Sequence, residues 1–177
     1  MALETCHYFG LTRENIETVI RRLTPADAPL LRSVRISALA DSPAAFGSTL
    51  SETMERSLST WENMLRPDGN PFFVYEVDGE VRGLAGGFIP DQDQELHLVS
   101  MWIDPMHRGR GISDALVSHI VDWARSRNAN RLILECTEGN CHAEELYVRH
   151  GFRRTGVSST RERDGATEFE MVLDLSV

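Results

Sequence analysis

The sequence predicts one domain of mixed α/β fold, and three observations support this. The chain has 177 residues, of which 41% are hydrophobic and 25% charged, close to the length and composition of a single globular domain. Apolar segments with strand periodicity alternate with segments of helical periodicity, as in a sheet flanked by helices. The pair Asp78-Gly79 separates two apolar runs and predicts a hairpin turn. We expect the domain to cover residues 16–177, after an N-terminal extension of residues 1–15.

The first part of the chain predicts a strand and then helices. β-branched residues in Glu17–Leu23 favour a strand. The segment Thr24–Leu39 opens with a Thr cap, a Pro and an Asp and continues with apolar residues at helical spacing, so it predicts a helix. Ala40–Gly47 has the Pro and Gly content of a loop. Two short helices follow, and we expect the second to begin at Ser59, because Glu62 three residues on completes a capping box.

The Asp-Gly turn is flanked by two predicted strands, Phe72–Val77 and Val81–Ile89. The second strand contains Gly83, Gly86 and Gly87. Glycine is unusual inside a strand and indicates a bulge, or a point where another group approaches the backbone closely.

The rest of the chain alternates strands and helices. The apolar pattern predicts a buried strand, a helix with one apolar stripe, another strand, a second helix and two closing strands. Their predicted bounds are Leu96–Ile103, Gly109–Arg127, Arg131–Cys136, Cys141–His150, Arg153–Ser158 and Thr167–Leu173.

The charge balance and the apolar pattern exclude several classes of protein. The formal net charge is −9, which disfavours the broad cationic surface of nucleic-acid-binding proteins. No apolar run approaches the roughly 20 residues that cross a bilayer, and the N-terminus lacks the features of a signal peptide. Cys6, Cys136 and Cys141 lack the paired spacing of a structural zinc site. We therefore expect a cytoplasmic protein with no metal, membrane or nucleic-acid partner.

A glycine-rich strand-to-helix turn carries the strongest chemical signal, and it reads Arg108-Gly109-Arg110-Gly111-Ile112-Ser113. Its two glycines allow a tight turn in which successive N–H groups point at one anion, with the helix dipole behind them. Such a loop suits a pyrophosphate. By itself the turn is a weak signal, since a helix start with two glycines would look the same. Neither the dinucleotide fingerprint nor the P-loop is present.

A second motif follows after one helix and one strand, and it reads Asn140…Ala143…Leu146-Tyr147…Gly151-Phe152. The two motifs resemble Gln/Arg-x-x-Gly-x-Gly/Ala and Asn-x-x-Ala-x-x-Leu-Tyr-x-x-x-Gly-Phe of the GNAT superfamily of acetyl-CoA-dependent N-acetyltransferases, bacterial type. The resemblance covers Glu17–Leu175. It implies an α/β (α+β) fold with a mixed, mostly antiparallel central sheet of about seven strands, flanked by helices. A splayed parallel strand pair would hold acetyl-CoA as cosubstrate. Ser113 departs from the motif, which has Gly or Ala there. Its side chain could weaken the affinity for the cofactor, or its hydroxyl could donate to the pyrophosphate, and both alternatives stay open.

The resemblance also implies the roles of individual residues. The pantetheine arm would pair with main-chain groups around Met101–Ile103, where an N–H would polarise the thioester carbonyl. Tyr147 would protonate the leaving thiolate, with packing of its ring as the alternative. Asn140 would contact the pantetheine arm, with N-capping of the helix as the alternative. The implied cofactor-binding residues are Met101, Trp102, Ile103, Arg108, Gly109, Arg110, Gly111, Ile112, Ser113, Asn140, Ala143 and Tyr147.

Two residues are candidates for drawing the proton from an acceptor amine. Glu95 and His97 precede the cofactor strand and have the same side-chain parity as Met101, which predicts a shared face unless a bulge intervenes. Both could equally be ordinary rim residues. The acceptor is a small-molecule amine or a protein or peptide amine, and the resemblance admits a homodimer. Acidic residues in the segments expected to border the acceptor favour a cationic amine: Asp41, Glu52, Glu55, Glu62, Asp91 and Asp93.

Two other functions stay open. A CoA-binding sensor without turnover would keep the same fold, but the presence of Tyr147, where a sensor would tolerate Phe, favours turnover. A Rossmann-type nucleotide binder is disfavoured because its fingerprint is absent.

Overall fold

The computed structural model describes residues 16–90 and 95–176. Within them, seven strands form one sheet. The strands are β1 (Thr18–Arg22), β2 (Phe72–Val77), β3 (Glu80–Phe88), β4 (Glu95–Ile103), β5 (Arg131–Thr137), β6 (Arg153–Thr160) and β7 (Thr167–Asp174). The α-helices are α1 (Ala28–Asp41), α2 (Leu50–Glu55), α3 (Leu58–Met64), α4 (Ile112–Ser126) and α5 (Cys141–Arg149). Short 3₁₀ turns lie at Pro25–Asp27, Pro43–Ala45 and Pro105–His107.

The sheet has the strand order β1-β2-β3-β4-β5-β7-β6. Every neighbouring pair is antiparallel except β4 and β5, which are parallel. These two strands pair only where Glu95–His97 faces Arg131–Ile133, and beyond that point they separate. The predicted fold is therefore confirmed, including the splayed parallel pair.

Helices cover both sides of the sheet. We call the side covered by α4 and α5 the α4 face, where the larger core lies, and the side covered by α1–α3 the α1 face. Core residues on the α4 face include Ala85, Leu96, Leu98, Leu116, Ile120, Leu132, Leu134 and Tyr147. Core residues on the α1 face include Leu31, Trp61, Phe72, Val74 and Leu84.

The hairpin and its glycines agree with the sequence prediction. Asp78 and Gly79 both have positive φ, 50° and 78°, as a two-residue type I′ turn requires. A Cβ at Gly87 would lie 2.5 Å from the ring of Trp123 on α4, so this glycine permits close packing of the helix on the sheet. The β3–β4 register shifts between Leu84 and Gly86. The bulge sits in β4, where Ser100 has φ 58°.

The predicted start of the second short helix is wrong. Helix α3 begins at Leu58 rather than Ser59, because the Ser57 hydroxyl accepts a hydrogen bond from the Thr60 N–H (3.2 Å) and caps the helix two residues earlier. The capping box occurs instead at α2, between Thr49 and Glu52. The two segments offer equivalent local patterns, so the local sequence did not distinguish them.

Candidate active site

The separation of β4 and β5 opens a wedge-shaped cavity of about 130 Å³. It lies between the two strands and α5, with a loop from the α1 face above it. We call this cavity the wedge. It is lined by Ala45 and Phe46 from the loop, Leu98, Val99, Ser100 and Met101 from β4, Glu135, Cys136 and Thr137 from β5, and Asn140, Ala143, Leu146 and Tyr147 from α5.

The glycine-rich turn forms an anion cradle at the start of α4. Gly109 and Gly111 have φ of 73° and 79°, and nothing lies within 4 Å of a Cβ built on either. This left-handed conformation explains why α4 begins at Ile112 rather than at Gly109, where the sequence predicted it. The first N–H groups of a helix have no partner within it, and no backbone carbonyl of the described residues accepts from Gly109, Gly111 or Ser113. The turn therefore fits a pyrophosphate group.

The carboxylate of Asp114 joins α4, which begins at the cradle, to α5, which lines the wedge. Asp114, in the first turn of α4, accepts hydrogen bonds from Arg149 at 2.6 and 2.9 Å, and its carboxylate lies 3.0 Å from the His150 ring at the end of α5. The Arg149 guanidinium, with His150 beside it, holds the pKa of the Asp114 carboxyl well below its usual range. Because α5 lines the wedge, this contact sets the cradle relative to the wedge.

The Arg108 side chain lies on the α1 face, where its guanidinium already has partners within the protein. It forms an ion pair with Asp41 at the end of α1, and its Nε donates to the carbonyl of Ile103 (3.2 Å). The indole N–H of Trp102 donates to the same Asp41 carboxylate (3.1 Å). The Trp102 side chain packs on the α1 face and that of Ile103 on the α4 face, and neither lines the wedge. Arg108 thus links the cradle to α1.

The bulge at Ser100 reverses the predicted side-chain parity. Met101 packs on the α4 face with Leu98, whereas Glu95 and His97, on the other side of the bulge, do not share its face. His97 packs edge-on against Phe88, with ring centroids 5.9 Å apart, and Glu95 pairs with Arg131 at the closed end of the wedge. The prediction of a shared face is therefore wrong, because one extra residue in a strand exchanges its two faces.

Tyr147 and Asn140 make the packing and capping contacts that were the alternatives to their chemical roles, and both also line the wedge. The ring of Tyr147 is buried against Phe152 (centroids 5.8 Å apart), and the residue also lines the wedge. Burial, with a contribution from nearby Cys136, raises the pKa of Tyr147 well above its usual value, so the phenol stays protonated. Asn140 caps α5 through a 3.4 Å bond from the Ala143 N–H and also lines the wedge. Ala143 lines it as well.

Glu135 is a candidate that the sequence reasoning missed. It is exposed between buried Leu134 and Cys136 on β5, so its carboxylate lies on the α1 face at the wedge. Its cross-strand neighbour on β7 is Glu170. Two like charges directly opposite each other repel, and no ion pair is found for either among the described residues. The sequence signal that could have identified it is a charged residue between the apolar residues Leu134 and Cys136 of a predicted strand.

The comparisons with known proteins identify the family. The model of the acetyltransferase (GNAT) family matches residues 36–152, which include both motifs, the wedge strands and the cradle. This chain belongs to the GNAT family. Residues 36–152 therefore form an acetyltransferase domain of this family.

Relatives of this GNAT chain act on different acceptors, as their names indicate. It is 34% identical to streptothricin acetyltransferase of Streptomyces lavendulae over 110 residues, covering 62% of the chain and 58% of that protein. It is 31% identical to N-acetylaspartate synthetase of Rattus norvegicus over 103 residues, covering 58% of the chain and 34% of that protein. The chain thus spans between a third and three fifths of these relatives.

A solved structure resembles nearly the whole GNAT chain. It is the ribosomal-protein-alanine N-acetyltransferase of Brucella melitensis, with a TM-score of 0.73 and 27% identity. The match covers 89% of this chain and 99% of that one.

A loop of the GNAT domain, residues 42–48, which we call the roof loop, crosses the wedge on the α1 face. Arg161, from the β6–β7 connection, donates to the carbonyls of Ala44 (2.9 Å) and Phe46 (3.2 Å). Arg163 donates to the carbonyl of Phe46 (2.9 Å), and the Thr137 hydroxyl donates to that of Ala44 (3.3 Å). The roof loop therefore borders the wedge, which Ala45 and Phe46 line.

The acidic residues expected near the acceptor are in part already engaged. Asp41 binds Arg108 and Trp102, and Glu52 belongs to the capping box of α2. Asp91 and Asp93 lie outside the described residues, as does Cys6.

Neither a metal-binding cluster nor a membrane-spanning helix is found in the described part of the GNAT chain. No group of three His, Cys, Asp or Glu side chains in it is arranged to hold a metal ion. None of its helices combines the length and the apolar character needed to span a bilayer.

Proposed function

We propose that this GNAT domain transfers the acetyl group of acetyl-CoA to a primary amine, by direct attack of the amine in a ternary complex. The observation that carries the proposal is the wedge between β4 and β5, which adjoins an anion cradle at the start of α4. The cradle would hold the pyrophosphate of acetyl-CoA. Past His97, the edge of β4 is not paired with β5, so its main-chain groups around Met101–Ile103, apart from the Ile103 carbonyl that accepts from Arg108, are available to the pantetheine arm. An N–H there would polarise the thioester carbonyl.

Tyr147 is proposed as the acid that protonates the leaving thiolate. Its position in the wedge supports this role, and its raised pKa keeps the phenol protonated, so that a proton is present to donate. Because the raised pKa also makes the phenol a weaker acid than the CoA thiol, the transfer depends on positioning. Tyr147→Phe should lower kcat about 10²-fold or more and leave acetyl-CoA binding nearly unchanged. Steady-state kinetics and calorimetric titration with acetyl-CoA measure the two quantities. An unchanged kcat would rule out the acid role. A wild type that binds acetyl-CoA and acetylates nothing would favour the sensor.

Direct transfer is favoured over an acetyl-cysteine intermediate. Cys136 is the cysteine of the described chain that lines the wedge, and burial, with the nearby Glu144, raises its pKa to about 11. Only about one thiol in 10⁴ is then ionised at pH 7, and the thiolate is the nucleophilic form. We expect Cys136→Ala to keep most of the activity and double-reciprocal plots to intersect, as in a ternary-complex mechanism.

Glu135 is proposed as the group that takes the proton of the acceptor amine. It lines the wedge, has no ion-pair partner in the described chain, and faces Glu170. The two carboxylates would attract a protonated amine and accept its proton. Glu95 and His97 are the alternatives, and both lie at the closed end of the wedge. There Glu95 forms an ion pair with Arg131, and the His97 ring packs against Phe88.

Three matched variants separate these candidates. We expect Glu135→Gln to lower kcat/KM for the amine about 10²-fold. Glu95→Gln and His97→Gln should change it less than threefold. A large loss of kcat/KM in either of these two variants, with no change in Glu135→Gln, would transfer the role to that residue.

The acceptor class is proposed from the acidic pair and from the relatives. Glu135 and Glu170 favour an amine that is cationic when it arrives. The relatives' names include two small-molecule acceptors and one protein acceptor, so a small-molecule amine and a protein or peptide amine are both to be tested. Release of CoA thiol, measured over a panel of amines and N-terminal peptides, identifies the acceptor. No release with any of them would overturn the proposed function.

A further inference from the structure

A second cavity, of about 350 Å³, lies on the α1 face beside the wedge. We call it the side cavity. It is bounded by the end of α3, the loop before β2, the end of β3 and the middle of β4. Its walls include the apolar side chains of Met64, Phe72, Phe88 and Val99, and Asn63 and Asn70 also line it. Its volume is in the range of small-molecule sites.

The side cavity and the wedge share one residue, Val99, which lines both. Val99 is also the cross-strand neighbour of Gly86 on β3. A Cβ at Gly86 would lie 3.0 Å from Phe72 and 3.1 Å from Val99, so these two side chains close over the glycine and form the floor of the side cavity. The two cavities therefore adjoin at Val99.

The lining of the side cavity is apolar and uncharged. Among the described residues that line it, the polar side chains are two asparagines, and the Asn70 carbonyl oxygen already accepts a hydrogen bond from the Ile89 N–H (2.9 Å). Phe88 is 43% exposed although it is aromatic. An exposed aromatic wall beside a reaction site indicates surface that a ligand covers.

The opposite approach to the wedge is covered. The roof loop lies over it and is fastened by Arg161 and Arg163 from the β6–β7 connection. If the nitrogen of an acceptor lies at the wedge, the rest of the acceptor therefore has space in the direction of the side cavity.

We propose that the side cavity binds the apolar body of the acceptor, an alkyl or aryl group attached to the reacting amine. This proposal rests on the proposed function, since it assigns the part of the substrate next to the nitrogen. The carboxylates of Glu135 and Glu170 would select the amine, and the side cavity would select the chain behind it.

The test is a series of unbranched primary amines from ethylamine to hexylamine, which have nearly equal basicity. Each methylene buried should raise kcat/KM about fourfold, so hexylamine should exceed ethylamine by about two orders of magnitude. Equal values along the series would overturn the proposal and leave the proposed function standing.

Two variants at one position test the location. Met64→Phe narrows the side cavity and should lower kcat/KM for hexylamine tenfold or more, with no change for ethylamine or for acetyl-CoA binding. Met64→Ala enlarges it and should shift the optimum to longer chains. Met54→Phe, on the exposed side of α2, is the matched control and should change neither. An equal loss for all amines in Met64→Phe and an unshifted optimum in Met64→Ala would overturn the assignment.

Direct binding separates the two proposals. Calorimetric titration with hexylamine measures occupancy without turnover. Hexylamine that binds the wild type and fails to bind Met64→Phe would support the side cavity even if it is not acetylated, whereas the proposed function is overturned only if no amine or peptide of the panel releases CoA thiol.

Discussion

Replacing Arg161 with methionine should loosen the roof loop and destabilise the domain. The Arg161 side chain is 6% exposed. It makes a two-point contact with Asp164 (both 2.9 Å), reaches Glu168 (3.0 Å), and donates to the carbonyls of Ala44 and Phe46. Methionine keeps much of the apolar stem and removes the charge and all five donors.

The expected loss of stability is about 3 kcal/mol. Removing one partner of a buried ion pair costs about 3–5 kcal/mol. Here the lower end applies for two reasons. Asp164 is 36% exposed and keeps Arg163 as a partner. The carbonyls of Ala44 and Phe46 keep the Thr137 hydroxyl and Arg163 as donors. For a domain of this size, such a change lowers the melting temperature by roughly 6–12 °C.

Urea unfolding of the two proteins measures the difference, and Arg163→Met is the matched control. Arg163 contacts the same loop from a more exposed position, so its loss should cost about 1 kcal/mol or less. With acetyl-CoA saturating, kcat/KM for the amine should fall about tenfold in Arg161→Met, because Ala45 and Phe46 line the wedge. If Arg161→Met costs less than 1 kcal/mol, or no more than Arg163→Met, the guanidinium does not fasten the loop.

Three further predictions concern the cradle, the wedge cysteine and the link between helices. Gly111→Ala forces a side chain into a left-handed conformation at φ 79°, which costs about 1–2 kcal/mol; it should weaken acetyl-CoA binding in calorimetry, and unchanged affinity would exclude the cradle. With the other two cysteines replaced by serine, Cys136 should react with iodoacetamide only as pH approaches 11; rapid alkylation at pH 7 would contradict its burial. The lowered pKa of Asp114 stabilises the fold above its ordinary pKa of 3.8, and this stabilisation is lost as pH falls through the lower folded value. The unfolding free energies of wild type and Asp114→Asn should therefore differ at pH 6 and converge towards pH 2, whereas a constant difference would point to packing alone.

The local elements were predictable from the sequence, because each depends on residues close together in the chain. The Asp78-Gly79 turn and the left-handed Gly109 and Gly111 follow from the few residue types that adopt positive φ readily. The strands and long helices follow from their apolar periodicity. The two motifs, one at the cradle and one on α5, were sufficient to identify the GNAT family from the residues alone.

The relative positions of the site residues could not be predicted in the same way. The bulge at Ser100 reverses the faces of β4, so Glu95 and His97 do not share a face with Met101. Glu135 stood out only once β5 was seen beside the wedge.

The sequence by itself thus determined most of the elements and the family, because backbone preferences, periodicity and short motifs act over a few residues. Tertiary structure alone decided which side chains face the wedge. Arg108 meets Asp41 across 67 residues and Arg161 meets Ala44 across 117, and such contacts depend on how the whole sheet twists and packs. Short-range rules carry no information on that packing.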